Sequence, residues 1–182
     1  MEKRPLLLCT DPGIDDFIAL SMILARPEFD VLGMIALSGN VGLDVTVNNA
    51  LLACELNGRS DIPVLAGSAK PLARPARSAS NIHGKSGLGK STELYAKGAP
   101  LAADAADFIL DMAEKYAGRL EILSLGPLTD VALALQKSPE AAKRLRASSS
   151  WAAASTRAMR QNTLSSTSSR TPRRHRSFSP AA

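Results

Sequence analysis

Cysteine, aromatic residues and long apolar runs are all scarce in this 182-residue chain, and each scarcity removes a class of protein. The two cysteines, Cys9 and Cys54, lie inside apolar patterns, build no disulfide framework and fit a reducing compartment. Apolar runs are short and interrupted by charge, so no signal peptide or membrane-spanning helix is read, and a soluble cytoplasmic protein without a membrane partner is expected. The formal charge of +5 suggests an acidic partner, but its distribution argues otherwise. From Ser148 to Ala182 there are six Arg and no Lys, Asp or Glu, which leaves residues 1–147 with 16 cations against 17 acids. An arginine-rich tail without Lys or interleaved aromatics makes a poor dedicated nucleic-acid site. A nucleic-acid-binding module acting through this tail is kept only as an alternative.

What is present is concentrated in Leu6-Leu7-Leu8-Cys9-Thr10-Asp11-Pro12-Gly13-Ile14-Asp15-Asp16. An apolar strand runs into three carboxylates gathered within six residues around a Pro-Gly turn. Carboxylates held that close in a partly dry crevice repel one another and lose hydration, so they protonate or a cation sits between them. Oxygen-only ligands select a hard ion, and Ca²⁺ suits an irregular loop better than Mg²⁺, which demands a stricter octahedron. A plainer reading is that Asp15 and Asp16 start a helix, where acids interact favourably with free N–H groups. That reading leaves Asp11 unexplained at a strand end, where open α/β sheets put their ligands.

Alternating patterns continue along the chain. Strands are expected over Pro5 to Cys9, Val31 to Leu37, Pro63 to Ala66 and Leu120 to Leu125, and helices over Asp15 to Ala25, Val45 to Asn57, Ala102 to Tyr116 and Leu128 to Gln136. A loop rich in Ser, Gly and Pro separates the third strand from the third helix. The alternation predicts an α/β fold with an open, mostly parallel, Rossmann-like sheet and helices on both faces. One domain over residues 1–147 and a Ser/Arg-rich tail over 148–182 are expected. Within the loop, Gly84-Lys85-Ser86-Gly87-Leu88-Gly89-Lys90-Ser91 matches the phosphate-binding pattern G-x-x-x-x-G-K-[ST]. A P-loop follows a buried strand, however, and Arg74 to Asn81 cannot form one. Binding of a nucleoside triphosphate at Gly84 to Ser91 is therefore an alternative that the context disfavours.

The carboxylate turn is followed by Leu37-Ser38-Gly39-Asn40, Val64-Leu65-Ala66-Gly67-Ser68 with Lys70-Pro71-Leu72, Ile82-His83-Gly84 with Gly87, and Leu125-Gly126-Pro127-Leu128-Thr129-Asp130. In this order the motifs closely resemble those of the inosine-uridine preferring nucleoside hydrolases, from residue 5 to about 146. The resemblance implies hydrolysis of the N-glycosidic bond of ribonucleosides to ribose and free base, as in nucleoside salvage, with Ca²⁺ as cofactor. It implies Asp11, Asp16 and the carbonyl of Leu125 as metal ligands, and Asp15 as the general base. It implies Asp16, Asn40 and His83 as substrate-binding residues. On their own terms, a lone His83 in a loop reads as solvated and Asn40 after a glycine reads as a turn residue. Cys9 stands where the family usually has Asp, and reads as a small buried hydrophobe. Relatives commonly assemble as dimers or tetramers, so a homo-oligomer is in view.

After Arg146 the resemblance stops in the present reading frame. The tail has too few large apolar residues to offset its ordering entropy and, taken as written, is expected to be disordered. A sharper expectation is a frameshift. Ser148 to Ala153, encoded TCN-TCN-TCN-TGG-GCN-GCN, permits I-V-V-M-G-G one base earlier, and Met159 to Thr167 and Arg170 to Phe178 permit further family-like segments in the same shifted frame. The chain is then the amino-terminal half of a hydrolase, expected to have little or no activity.

Overall fold

The computed structural model describes residues 2–73, 78–90 and 94–145. The Arg-rich tail, its domain boundary and the shifted-frame segments lie outside these residues. Four strands, β1 (Arg4–Thr10), β2 (Phe29–Ala36), β3 (Val64–Ala66) and β4 (Glu121–Ser124), form one sheet in the order β3-β2-β1-β4. Every pairing is parallel. The helices are α1 (Ile14–Leu24), α2 (Leu43–Leu56), α3 (Ser80–His83), α4 (Ala105–Lys115) and α5 (Thr129–Lys137), followed by a 3₁₀ helix over Pro139–Lys143.

The two-faced burial of a parallel sheet explains why β1 is a continuous apolar run. Leu6 and Leu8 point into one core with Leu20 and Leu24 of α1 and Val47, Ala50 and Ala53 of α2. Leu7 and Cys9 point the other way, into a core with Ile109 and Ala113 of α4 and Val131 and Ala134 of α5. Each Leu removed from water in this way contributes roughly 1.5–3 kcal/mol.

The expected helices and strands form, with boundaries moved for identifiable reasons. Helix α4 begins at Ala105 because the Asp104 side chain accepts the Asp107 N–H at 2.9 Å and caps it there. Helix α1 stops at Leu24, shortly before Pro27, which cannot continue a helix. Helix α3 and the 3₁₀ turn were not expected, since segments of four and five residues carry no readable period.

The strand order positions the site. From β1 the chain steps outward through β2 to β3, then crosses back to lay β4 on the other side of β1. The carboxyl ends of β1 and β4 therefore flank a topological switch point, where adjoining loops part and leave a crevice. The β1–β4 pairing that creates it carries an ion pair: Arg4 Nε donates to Glu121 Oε1 at 3.0 Å, and its second nitrogen engages Oε2, with Glu121 buried. Arg4→Met leaves that carboxylate without its guanidinium, so it is expected to cost about 1–3 kcal/mol in urea unfolding. The double variant Arg4→Met with Glu121→Met is expected to cost less than the single one. A larger loss in the double variant refutes the ion-pair account.

Candidate functional site

Asp11 is the first residue past β1, and its side chain is driven into the protein by close backbone contacts. A Cβ on Gly39 would lie 2.0 Å from Asp11 Oδ2, and one on Gly126 would lie 2.3 Å from Oδ1. Only residues without a side chain allow the carboxylate to sit between these two segments. The N–H groups of Leu125 and Gly126 donate to the Cys9 carbonyl at 2.8 and 3.4 Å, which sets the Leu125–Gly126 peptide beside Asp11.

Asn40, in the turn after β2, joins the first and last acids of the turn. Its backbone N–H donates to Asp11 Oδ2 at 2.7 Å. Its side-chain Nδ2 donates to the Asp11 carbonyl and to Asp16 Oδ2, both at 2.9 Å. Asp16 Oδ2 also accepts the Gly13 N–H at 3.1 Å. Asp16 thus caps the start of α1 and at the same time shares the Asn40 amide with Asp11. The other oxygen of each acid, Oδ1, accepts no hydrogen bond among the described residues.

Burial raises the Asp11 carboxyl to about 6, helped by the neighbouring Asp16 charge and opposed by the Asn40 N–H. Asp16 is raised for the same first reason, and Asp15 adds to it. Asp15 itself lies on the outer side of the first turn of α1 with its side chain 83 % exposed. His83 closes the opposite side: its Nδ1 accepts the Ile14 N–H at 3.2 Å and stands 3.9 Å from Asp15 Oδ1. Since Nδ1 is an acceptor, the neutral ring carries its proton on Nε2. A Cβ on Gly13 would come within 2.7 Å of His83 Nδ1 and 2.9 Å of Asn40 Nδ2, so this glycine is what lets both side chains close over the turn.

Asp11, Asp16, Asn40, His83 and the Leu125–Gly126 peptide therefore meet at the switch point, with Asp15 at the rim. Among the described residues no three His, Cys, Asp or Glu side chains enclose a metal ion. The donors on offer are two carboxylates, each with one oxygen outside the Asn40 bonds, and oxygen ligands of this kind suit a hard cation with positions left for water and ligand oxygens. Cys9 is 1 % exposed and its thiol is pushed up to about 12 by burial and by Asp130, so it is inert, as its apolar setting indicated. The glycine-rich segment from Gly84 follows α3 and not a strand, so the setting a phosphate loop requires is missing.

Several supporting residues were not singled out from sequence. Gly39 and Gly126 carry a turn signal, which says nothing of the carboxylate they touch. Asn49 lies in the apolar pattern of α2, yet its buried amide reaches Pro12 and Ser86. Ser68 gives both its N–H and its hydroxyl to the buried Asp130, each at 2.9 Å, and accepts the Ser38 N–H on its carbonyl.

Fold and site together define a parallel α/β protein with a pair of buried carboxylates at its switch point. The chain belongs to the inosine-uridine preferring nucleoside hydrolase family, whose description matches residues 6–162. It is 38% identical to a probable uridine nucleosidase 2 of Arabidopsis thaliana, over 79% of this chain and 45% of that protein. It is 37% identical to a non-specific ribonucleoside hydrolase, RihC, of Klebsiella pneumoniae, over 79% and 47%. Among solved structures it resembles a plant nucleoside hydrolase, with TM-score 0.74 and 35% identity over 78% of this chain and 45% of the other. A purine-preferring ribonucleoside hydrolase from Gardnerella vaginalis gives 0.73 and 31% over 78% and 46%. The chain spans about half the length of the curated relatives it matches.

Ionising Asp11 opposes folding. The penalty is absent below its unfolded value of about 3.9, grows as pH rises, and is complete above about 6. Asp11→Asn should then raise the melting temperature of the cation-free protein at pH 7 by a few degrees, on the order of 1 kcal/mol after solvent screening. At pH 4 it should have no such effect. Melting curves in EDTA at the two pH values check this, and an equal effect at both would count against it.

Proposed function

We propose that this protein hydrolyses the N-glycosidic bond of ribonucleosides to ribose and free base, using a Ca²⁺ ion held by Asp11, Asp16 and the carbonyl of Leu125. The observation that carries the reading is the pair of buried carboxylates, each with a free oxygen, bridged by Asn40 at the switch point of a nucleoside hydrolase fold. Ca²⁺ is favoured over Mg²⁺ because the donors come from three different settings, the end of a strand, the first turn of a helix and a loop, which suit an irregular cage better than a strict octahedron. When bound, such a cation supplies positive charge that neutralises the acids and lowers the pKa of a neighbouring water.

The remaining work falls to side chains. Asp15 takes the proton from the attacking water, and its exposed carboxylate lies on the solvent side of the turn. Asn40 and Asp16 hold the ribose hydroxyls, and rigid contacts of this kind orient the sugar for attack. His83 faces the nucleoside, and its Nε2–H is the donor left over once Nδ1 accepts from Ile14. The transition state has oxocarbenium character, so the nearby negative charge stabilises it. Turnover by this chain is slow in this reading, since only two described side chains would hold the ion. A homo-oligomer belongs to the same proposal: Ile18 and Met22 on α1 and Leu56 on α2 are large, apolar and more than half exposed, as subunit contacts often are.

The expected result is that millimolar Ca²⁺ raises the melting temperature, that EDTA reverses this, and that Asp16→Ala abolishes it. Release of reducing sugar from inosine or uridine should fall by about 10²–10⁴-fold in Asp15→Asn, which removes the base. A folded chain that neither responds to Ca²⁺ nor releases ribose would refute the proposal.

A further inference from the structure

Resting on that reading of the site, we propose that Asn49 is a positioning residue whose amide clamps the 84–89 turn, and with it His83, against the carboxylate turn. Asn49 projects from α2 and is 2 % exposed. Its Nδ2 donates one proton to the Pro12 carbonyl at 3.1 Å and the other to the Ser86 carbonyl at 2.9 Å. Pro12 lies between Asp11 and Gly13, and Ser86 lies three residues past His83. One planar group with two donors thus ties together the two segments that face each other across the crevice.

The turn is shaped to receive that amide. Gly84, Gly87 and Gly89 have φ of 76°, 74° and 75°, a left-handed backbone that side chains disfavour. A Cβ on Gly87 would stand 2.8 Å from Asn49 Nδ2 and 3.2 Å from the Pro12 carbonyl, so the turn closes onto the clamp only with glycine there. Gly89 N–H returns to the His83 carbonyl at 2.7 Å, which makes His83 and the turn one unit. At its other end His83 is tied to the carboxylate turn by the single bond from Ile14. Losing the clamp leaves that ring hydrogen bond, and upstream the Ala79 N–H on the Asn40 carbonyl, to hold His83, while the 84–89 side of the unit is released. Aspartate at position 49 has the same shape but sets an acceptor against two carbonyl oxygens, and leucine has no donor.

Trypsin cleavage after the exposed Lys85 measures release of the turn, and cleavage after Lys115 at the end of α4 measures global opening. Asn49→Asp and Asn49→Leu are expected to speed cleavage after Lys85 at least tenfold relative to Lys115. Inosine affinity should weaken about tenfold while the Ca²⁺ midpoint moves less than twofold. Gly87→Ala perturbs the same contact from the turn side and should give the same selective rise, which keeps the test sound if the α2 variants fail to fold. Equal acceleration at both lysines, or none at Lys85, overturns the inference. If the unmodified chain binds neither Ca²⁺ nor inosine but the selective cleavage still follows, the functional reading falls and the clamp stands.

Discussion

Everything at the crevice depends on Asn40 holding two carboxylates that would otherwise move apart. Its three hydrogen bonds, one from the main chain and two from the side chain, bring Asp11 and Asp16 to a common partner and use up one oxygen of each acid. Like charges in a poorly hydrated pocket disfavour ionisation, and both acids are raised accordingly. A donor amide relieves part of that cost, and the remainder is what makes the pocket attractive to a cation. The strain at this point is thus a property of the site and not a defect of the fold, as is common where chemistry is done.

The sheet supplies what a local motif cannot. Asp11, Asn40 and the Leu125–Gly126 peptide come from the ends of β1, β2 and β4, far apart in sequence, and parallel pairing brings all three ends to one side. The register sets Cys9 opposite both Ile35 and Ser124, so the chain leaves all three strands at nearly the same level. A slip of one residue in β4 would turn Ile122 out of its core and carry the Gly126 backbone away from Asp11. The Arg4–Glu121 pair at the opposite end of β1 and β4, with Arg4 half exposed over the buried Glu121, helps to hold that register.

How much of this was legible follows from the range of each signal. The alternation of strand and helix, the parallel sheet and the carboxylate turn are written in periods and local clusters, and the sequence alone shows them. Asn40 was legible only through the family motif, because an Asn after Gly is equally an ordinary turn residue. Asn49 was not legible at all: its neighbours Ala50, Leu52 and Ala53 mark a core face, and nothing local says that one amide on that face bonds to two distant carbonyls. The Ser68–Asp130 bonds join residues 62 apart and escape sequence reading for the same reason.

Glycine shows the limit most clearly, because its function here is to be small against a particular neighbour. Gly13 admits His83 and Asn40, Gly39 and Gly126 admit Asp11, and Gly67 admits Asp130, whose Oδ2 would lie 2.6 Å from an added Cβ. In sequence each is a turn marker; in the structure each is a point where backbone stands in for the wall of the pocket. Walls made of main chain cannot rotate away, so the carboxylates they enclose stay desolvated and aimed without help from a ligand. That rigidity suits preorganised electrostatics, in which the groups that will stabilise charge are oriented before the reaction begins. It also explains why the crevice is built at strand ends and tight turns, where the backbone is already fixed by the sheet, and not on the longer loop beyond, which reaches the same point through His83, the Asn49 amide and the bonds of Ser78 and Ala79 to the Asn40 carbonyl.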